Sequence, residues 1–232
     1  MKLSSIFKTG VKTTKAKVIA ILVPAFIITA TIAFLTFYGQ NTGNFSINID
    51  ESAQMKNISI ATSPLSKDNQ KIVRVSSNPI TPISSESLVS TKLPEIKNNE
   101  SGMYHSRNFI AQTFYIKNES ETLSVTLSYH LIITEVAKQK ITSDFKLHPI
   151  IRVMIIDGET ENIFEPNDSN DEMANKKFNE GSLIINEKSA VLNAKQERKY
   201  IFIMWYDLKA ITPETKEPPA LKFQLNFKTE EE

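Results

Sequence analysis

Apolar and polar residues alternate in short runs from residue 44 to the end of the chain, and a period of two is typical of strands that bury one face. The clearest run is 123–133, where Leu, Val, Leu, Tyr, Leu and Ile occupy one face and Ser, Thr and His lie between them. The runs that we predict as strands lie at 45–49, 58–60, 109–116, 123–133, 150–156, 183–185, 191–192, 200–206 and 221–227. Short strands without a sustained helical period predict a mainly β domain, a β-sandwich of the immunoglobulin-like type.

Turn signals between these runs predict how some of them are connected. Asn118–Glu121 separates the runs 109–116 and 123–133, so we expect these two strands to form a hairpin. Asp157-Gly158 closes the apolar run 150–156, and Asp-Gly is a strong signal for a tight turn. The run 200–206 is apolar on both faces, which predicts a central strand.

Two stretches lack the alternation and are predicted as loops of the domain. The first, near 76–104, is rich in Ser and Pro and is typical of an extended loop. The second, near 157–181, is rich in Glu, Asp and Asn and is predicted to be a long exposed acidic loop.

A continuous apolar run at 18–38 predicts a transmembrane helix. Its 21 residues carry no charge, and at 1.5 Å per residue they extend about 31 Å, enough to cross a hydrocarbon core. Five lysines precede it and define a basic segment, 1–17, that we place in the cytoplasm: Lys2, Lys8, Lys12, Lys15 and Lys17. Residues 39–232 are then extracellular, either anchored through an uncleaved signal anchor or secreted after cleavage of a signal peptide.

Composition removes several classes of function. The 232 residues include no Cys, which excludes disulfides, thiolate metal sites and cysteine nucleophiles. The net charge of +1 divides into five lysines in residues 1–49 and 22 basic against 26 acidic residues from residue 50 onward. A basic segment that directly precedes an apolar span is not a nucleic-acid footprint, so we predict no nucleic-acid partner.

The acidic loop holds the only metal site that the sequence suggests. Asp168, Asn170, Asp171 and Glu172 supply oxygen ligands of the kind that Ca²⁺ prefers, without the central Gly of an EF-hand loop. The alternative is a cluster of solvated carboxylates. The three histidines lack the spacing of a zinc site, and no nucleophile elbow or phosphate-binding loop is present, so we predict a non-enzymatic protein with no catalytic residues.

Three blocks of sequence resemble a largely uncharacterised group of signal-anchored or exported surface proteins of Gram-positive bacteria. They are TIAFLTFYGQNTGNFSI at 31–47, YHSRNFIAQTFYIKN at 104–118 and IRVMIIDG at 151–158, about 40 of the 232 residues. The typical Asn-x-Gly turn of that group is Asn118-Glu119-Ser120 here. More distantly, the layout is similar to the camelysin and TasA-type matrix proteins.

That resemblance implies a jelly-roll-like sandwich and polymerisation in which an N-terminal strand is donated to a neighbouring subunit. The metalloprotease activity ascribed to camelysin is not implied, because the chain has no zinc-ligand pattern. We therefore expect a structural or interaction protein of the cell surface or extracellular matrix that self-associates through 45–49. The alternative is a membrane-anchored module that binds calcium or another ligand, or an accessory ectodomain of a membrane complex.

Overall fold

The computed structural model of the protein describes residues 44–64, 66, 70–76, 79–136, 140–213 and 220–230. The chain divides into two compact units, Met1–Asn41 and Thr42–Glu232, and every described residue belongs to the second. The predicted basic segment 1–17 and transmembrane segment 18–38 lie outside the described residues. Among the residues that are described, no helix is long and apolar enough to span a membrane.

The described residues form two β-sheets. The first sheet has the order β10-β6-β12-β1-β3 and consists of β1 (Asn44–Ile49), β3 (Ile72–Ser76), β6 (Val125–Val136), β10 (Leu183–Leu192) and β12 (Leu221–Thr229). The second has the order β2-β5-β11-β7-β8-β9, with β4 also paired to β5, and consists of β2 (Ile58–Ala61), β4 (Gly102–Tyr104), β5 (Phe109–Asn118), β7 (Ile151–Asp157), β8 (Thr160–Glu165), β9 (Lys176–Lys177) and β11 (Glu197–Tyr206). The prediction of a mainly β domain is confirmed.

One apolar core joins the inner faces of the two sheets. Phe45 of the first sheet stacks on Phe202 of the second, with ring centroids 4.4 Å apart. Phe227 meets Phe114 and Tyr200 edge-on at 5.8 and 5.0 Å. Aromatic pairs at such distances stabilise a core beyond the area they bury. The two sheets are therefore held together by side chains that project from alternate positions of their strands.

Helical segments occupy part of the stretch near 76–104, so the prediction of an extended loop there is wrong. Within this stretch lie α2 (Ser85–Ser87), a π-helical turn (Leu88–Lys92) and α3 (Leu93–Asn98). Elsewhere the described residues also form α1 (Glu51–Met55) and a 3₁₀ turn (Leu208–Ala210). Ser84 caps α2 by accepting a bond from the Ser87 amide. Pro94 lies in the first turn of α3, where proline is tolerated because no amide donor is needed.

The segment 85–98 covers the outer face of the second sheet. Leu88, Leu93 and Ile96 are buried in a second apolar cluster with residues of that sheet, including Trp205. This explains why β11 is apolar on both faces. It pairs with β5 on one side and β7 on the other, so the prediction of a central strand is confirmed.

The predicted hairpin between 109–116 and 123–133 is wrong, because β5 and β6 belong to different sheets. The Asn118 side chain stabilises the crossing by donating to the carbonyls of Leu123 and Leu192 at 2.6 and 3.1 Å. Its own oxygen accepts from the Ser120 amide at 3.0 Å. Alternation predicts which side chains of a strand are buried, but it does not identify the strand that pairs with it.

The acidic stretch 157–181 is not one long loop. Gly158, with a φ of 60°, makes the predicted tight turn, but β8 follows directly and pairs with β7. Ile163, Phe164 and Glu165 are buried there, although the surrounding composition is acidic. The two short runs 183–185 and 191–192 form one strand, β10, in which irregular register interrupts the alternation.

Candidate functional site

The first candidate site is β1, an interior strand of the first sheet. It lies between β12, to which it is parallel, and β3, to which it is antiparallel. Its inward residues Phe45, Ile47 and Ile49 are 4%, 0% and 3% exposed. Burying a side chain of this size contributes about 1.5–3 kcal/mol. The insertion of β1 therefore contributes strongly to the stability of this sheet.

The outward face of β1 is polar and continues into β12. Asn48 donates from Nδ2 to Oδ1 of Asn226 at 3.1 Å, and Gln224 donates to the same oxygen at 2.8 Å. Asn48 also donates to the Ser46 hydroxyl at 3.3 Å. Asn48 and Asn226 are thus neighbours across the two parallel strands, on the side of the sheet that reagents in solution can reach.

A capped turn follows β1. Asp50 accepts from the Ser52 amide at 3.1 Å, and its own amide donates to the Phe227 carbonyl at 2.9 Å. Gln54 donates to the Ile49 carbonyl at 2.7 Å. These bonds hold α1 at the end of β1 and define a connection, 50–57, between β1 and β2.

The second candidate site is the acidic segment with the predicted calcium ligands. Asp168, Asn170, Asp171 and Glu172 all line one cavity of about 570 Å³. Asp168, Asn170 and Glu172 are exposed, whereas Asp171 is half-buried and already bonded within the protein. Within the described ranges, no three His, Asp or Glu residues lie close enough together to hold a metal ion. The calcium site stays a prediction.

Arg152, which the sequence reading did not single out, organises the wall of this cavity. Its side chain is 1% exposed, and its Nε and Nη2 atoms donate to Asp171 and Asp207, each at 3.3 Å. Nη2 also donates to the Ser169 hydroxyl, and Nη1 donates to the Pro149 carbonyl at 2.7 Å. An arginine within an apolar run is the sequence signal by which this network could have been found, because a buried charge requires partners.

Ser85 connects the helical segment to the same network. Its hydroxyl donates to Asp171 in a short hydrogen bond and accepts from Nε1 of Trp205 at 3.2 Å. Its amide lies 3.4 Å from Oδ1 of Asp207. The network therefore links the helical segment, the acidic segment and the end of β11, and its carboxylates are satisfied by donors of the protein itself.

The carboxylates of the network are held in the charged form. Burial raises the pKa of Glu165, but bonds from Lys177 and the Asp171 amide outweigh it, so its pKa lies below the ordinary value. Burial likewise raises the pKa of Asp171, while bonds from Ser85 and the Met173 amide, with Arg152 nearby, lower it further than burial raises it. Both groups therefore stabilise the folded state as anions.

Comparisons with known proteins identify no family for this chain. No protein-family model matches the chain, and no match was found among curated proteins or solved structures. The geometry of β1 and of the Arg152 network is therefore the basis for any functional conclusion.

Proposed function

We propose that the chain is a non-enzymatic bacterial surface protein, anchored by 18–38 or exported after cleavage, with a structural role in assemblies of its own kind. Its domain is a β-sandwich of the immunoglobulin-like or jelly-roll class. Subunits associate by exchange of β1, so that β1 of one copy lies beside β12 of the next. The observation that carries the proposal is the insertion of the first described strand between β12 and β3.

Exchange of β1 reproduces the pairing with β12 and β3 and the apolar contacts that β1 makes in its own chain. The pairing with β12 is parallel, so no short turn joins the two strands and either copy can supply β1. Opening requires that the turn 50–57 extend. The Asp50 cap, an interaction of about 1 kcal/mol, is then lost together with the Gln54–Ile49 bond and the burial of Ala53. Domain exchange of this kind is a low-energy route to oligomers.

A disulfide that fixes β1 in its own chain tests this proposal. The natural sequence has no Cys, so the double variant Asn48→Cys, Asn226→Cys carries only the designed pair, on adjacent outward positions. The pair is oxidised at a dilution where the chain is monomeric, so that the disulfide closes within one copy. Sedimentation of the detergent-solubilised chain is then expected to show concentration-dependent assembly when the pair is reduced and a monomer when it is oxidised. Equal assembly in both states would contradict the proposal.

A matched control distinguishes exchange of β1 from a general effect of cross-linking. Glu135 and Lys222 are partners on β6 and β12, also on the surface, and a bond between them does not join β1 to β12. The oxidised double variant Glu135→Cys, Lys222→Cys is expected to assemble like the natural chain. Ile47→Pro, which removes an amide donor in the middle of β1, is expected to abolish assembly in every state.

The cellular location follows from the mass and N-terminus of the protein in membrane and medium fractions. An intact N-terminus in the membrane supports an anchored domain with residues 39–232 outside. A start near Gly39–Asn44 in the medium supports an exported subunit. Recovery of the intact chain in the cytoplasm alone would contradict both forms of the proposal.

A calcium-binding module is the second candidate function, because the four predicted ligands line one cavity. Binding to the folded state raises the melting temperature in proportion to the logarithm of free calcium. A rise over millimolar calcium that Asp168→Asn reduces would support this function. A melting temperature that does not change with calcium would exclude it.

A further inference from the structure

A second cavity of about 270 Å³ lies beside the acidic segment, where the loops before β7, after β8 and before β10 meet the start of β12. It adjoins the 570 Å³ cavity, because Pro149 and Asp168 line both. Its floor is apolar and includes Leu147, Phe178 and Leu221, which belong to the core shared by the two sheets. Phe145 packs against the same core from the loop before β7. A ligand with an apolar body would bury its surface against these side chains.

The rim of this cavity already holds an ammonium group. Lys146 Nζ lies 3.4 Å from Oδ2 of Asp168 and 3.8 Å from Oε1 of Glu180. The three side chains are 54%, 75% and 48% exposed, so these ion pairs contribute only about 0–1 kcal/mol. Two carboxylates and one ammonium leave the rim negative, and an incoming cation can take the place of Lys146.

His148 forms part of the wall and adds no positive charge. Burial lowers the pKa of its imidazole, which is therefore neutral near pH 7. Its Nδ1 atom is enclosed and has no hydrogen-bond partner among the described residues. A neutral ring beside two carboxylates favours a cationic ligand over an anionic one.

We propose that this cavity binds a small primary amine with a compact apolar body. The body contacts Phe145, Leu147 and Phe178, and the ammonium group lies between Asp168 and Glu180 in the position that Lys146 occupies. The cavity is smaller than a typical drug-sized site, which limits the body to about one ring or a short chain. This site is independent of β1 and of the proposed assembly.

The test uses 2-phenylethylamine with the full chain in lipid nanodiscs, read out by hydrogen–deuterium exchange. Protection is expected in 145–149 and 178–181, with no change in 197–206. The matched compounds 2-phenylethanol and 3-phenylpropionate have the same ring without the cation and are expected to bind at least tenfold more weakly. Equal protection by all three compounds would overturn the proposal, because the rim charges would then have no role.

Variants at the rim separate the site from general effects on the fold. Asp168→Asn with Glu180→Gln is expected to weaken 2-phenylethylamine at least tenfold, and the side chains are exposed, so the fold should persist. Asp144→Asn removes a single carboxylate charge from the loop before β7. Asp144 does not line the cavity, and its loss is expected to change affinity less than twofold. Equal losses in the two proteins would overturn the proposal.

Two further outcomes would also count against a small amine. Capped Phe-Lys dipeptide presents the same ammonium and ring as part of a peptide, and tighter binding of the dipeptide than of the amine would assign the cavity to a protein segment. Protection of the same residues by calcium chloride alone, without any effect of the amine, would assign it to a metal ion.

Discussion

β1 and the Arg152 network both stabilise the domain, but they do so with different kinds of contact. β1 buries three apolar side chains and pairs through its backbone, and these contacts are the same whichever copy supplies the strand. Arg152 donates to acceptors at defined positions of its own chain. In the proposed exchange the part that moves is therefore the apolar strand, whereas the buried charges hold the part of the chain that stays in place.

The largest expected effect is loss of Arg152. Arg152→Met leaves Asp171, Asp207 and Glu165 buried without their guanidinium, which is expected to lower the free energy of unfolding by about 3–5 kcal/mol. Denaturant titration of the variant measures this change. Lys209→Met removes an exposed ion pair with Glu86, at the 570 Å³ cavity that Arg152 also lines. This change should lower the free energy of unfolding by less than about 1 kcal/mol. Similar losses in the two variants would contradict a special role for the buried network.

The next effect concerns the apolar face of β1. Ile47 is fully buried, so Ile47→Ala is expected to lower the free energy of unfolding by about 2–5 kcal/mol. Because the side chain has the same surroundings in an exchanged strand, the assembly constant should stay the same within about threefold, by sedimentation. If the assembly constant of Ile47→Ala changes by much more than threefold, β1 does not have the same environment in its own chain and in the exchanged assembly.

Acid should weaken the Arg152 network before it affects β1. The pKa of Glu165 and of Asp171 is lower in the folded state than the ordinary values of 4.5 and 3.8. Their stabilisation is therefore complete above about pH 5 and is lost as the pH falls through the lowered folded values. Unfolding curves measured from pH 7 to pH 2 should show this loss, and Arg152→Met should reduce the part of it that belongs to Asp171. A slope equal in both proteins would exclude Arg152 as a cause.

The smallest effect is expected on the outward face of β1. Asn48→Ala removes the partly buried hydrogen bonds to Asn226 and to Ser46 and should lower the free energy of unfolding by about 0.5–1 kcal/mol. Thermal unfolding of Asn48→Ala and of Ile47→Ala, measured side by side, compares the stabilisation that the two faces of β1 contribute. A loss as large as that of Ile47→Ala would contradict the view that the apolar face stabilises β1.

The sequence predicts buried faces well and pairing poorly. Alternation at 45–49 and 221–227 identified strands whose inward side chains are buried as expected. It did not reveal that these two strands are adjacent and parallel, because they are far apart in the chain and no turn joins them. The helical segment 85–98 was missed because its Ser and Pro content conceals Leu88, Leu93 and Ile96, which need a sheet to pack against.

At the candidate sites, too, the sequence does not predict which residues from distant parts of the chain come together. The sequence places Asp168 and Asp171 in one acidic segment, but the division between them comes from tertiary contacts: one is exposed beside Lys146 and the other is bonded to Arg152. Local composition does not reveal that the partners Ser85 and Asp207 approach from elsewhere in the chain. Leu123, expected on the buried face, lies before β6 begins and is 46% exposed.

The most direct measurement of the central claim uses two single variants, Asn48→Cys and Asn226→Cys, prepared separately and mixed before oxidation. If β1 of one copy lies beside β12 of another, the mixture forms a disulfide between one chain of each kind, which mass spectrometry identifies as a 48–226 cross-link. Mixed Glu135→Cys and Lys222→Cys proteins should form none, because β6 and β12 stay together. Absence of the 48–226 cross-link under conditions where the natural chain assembles would contradict strand exchange.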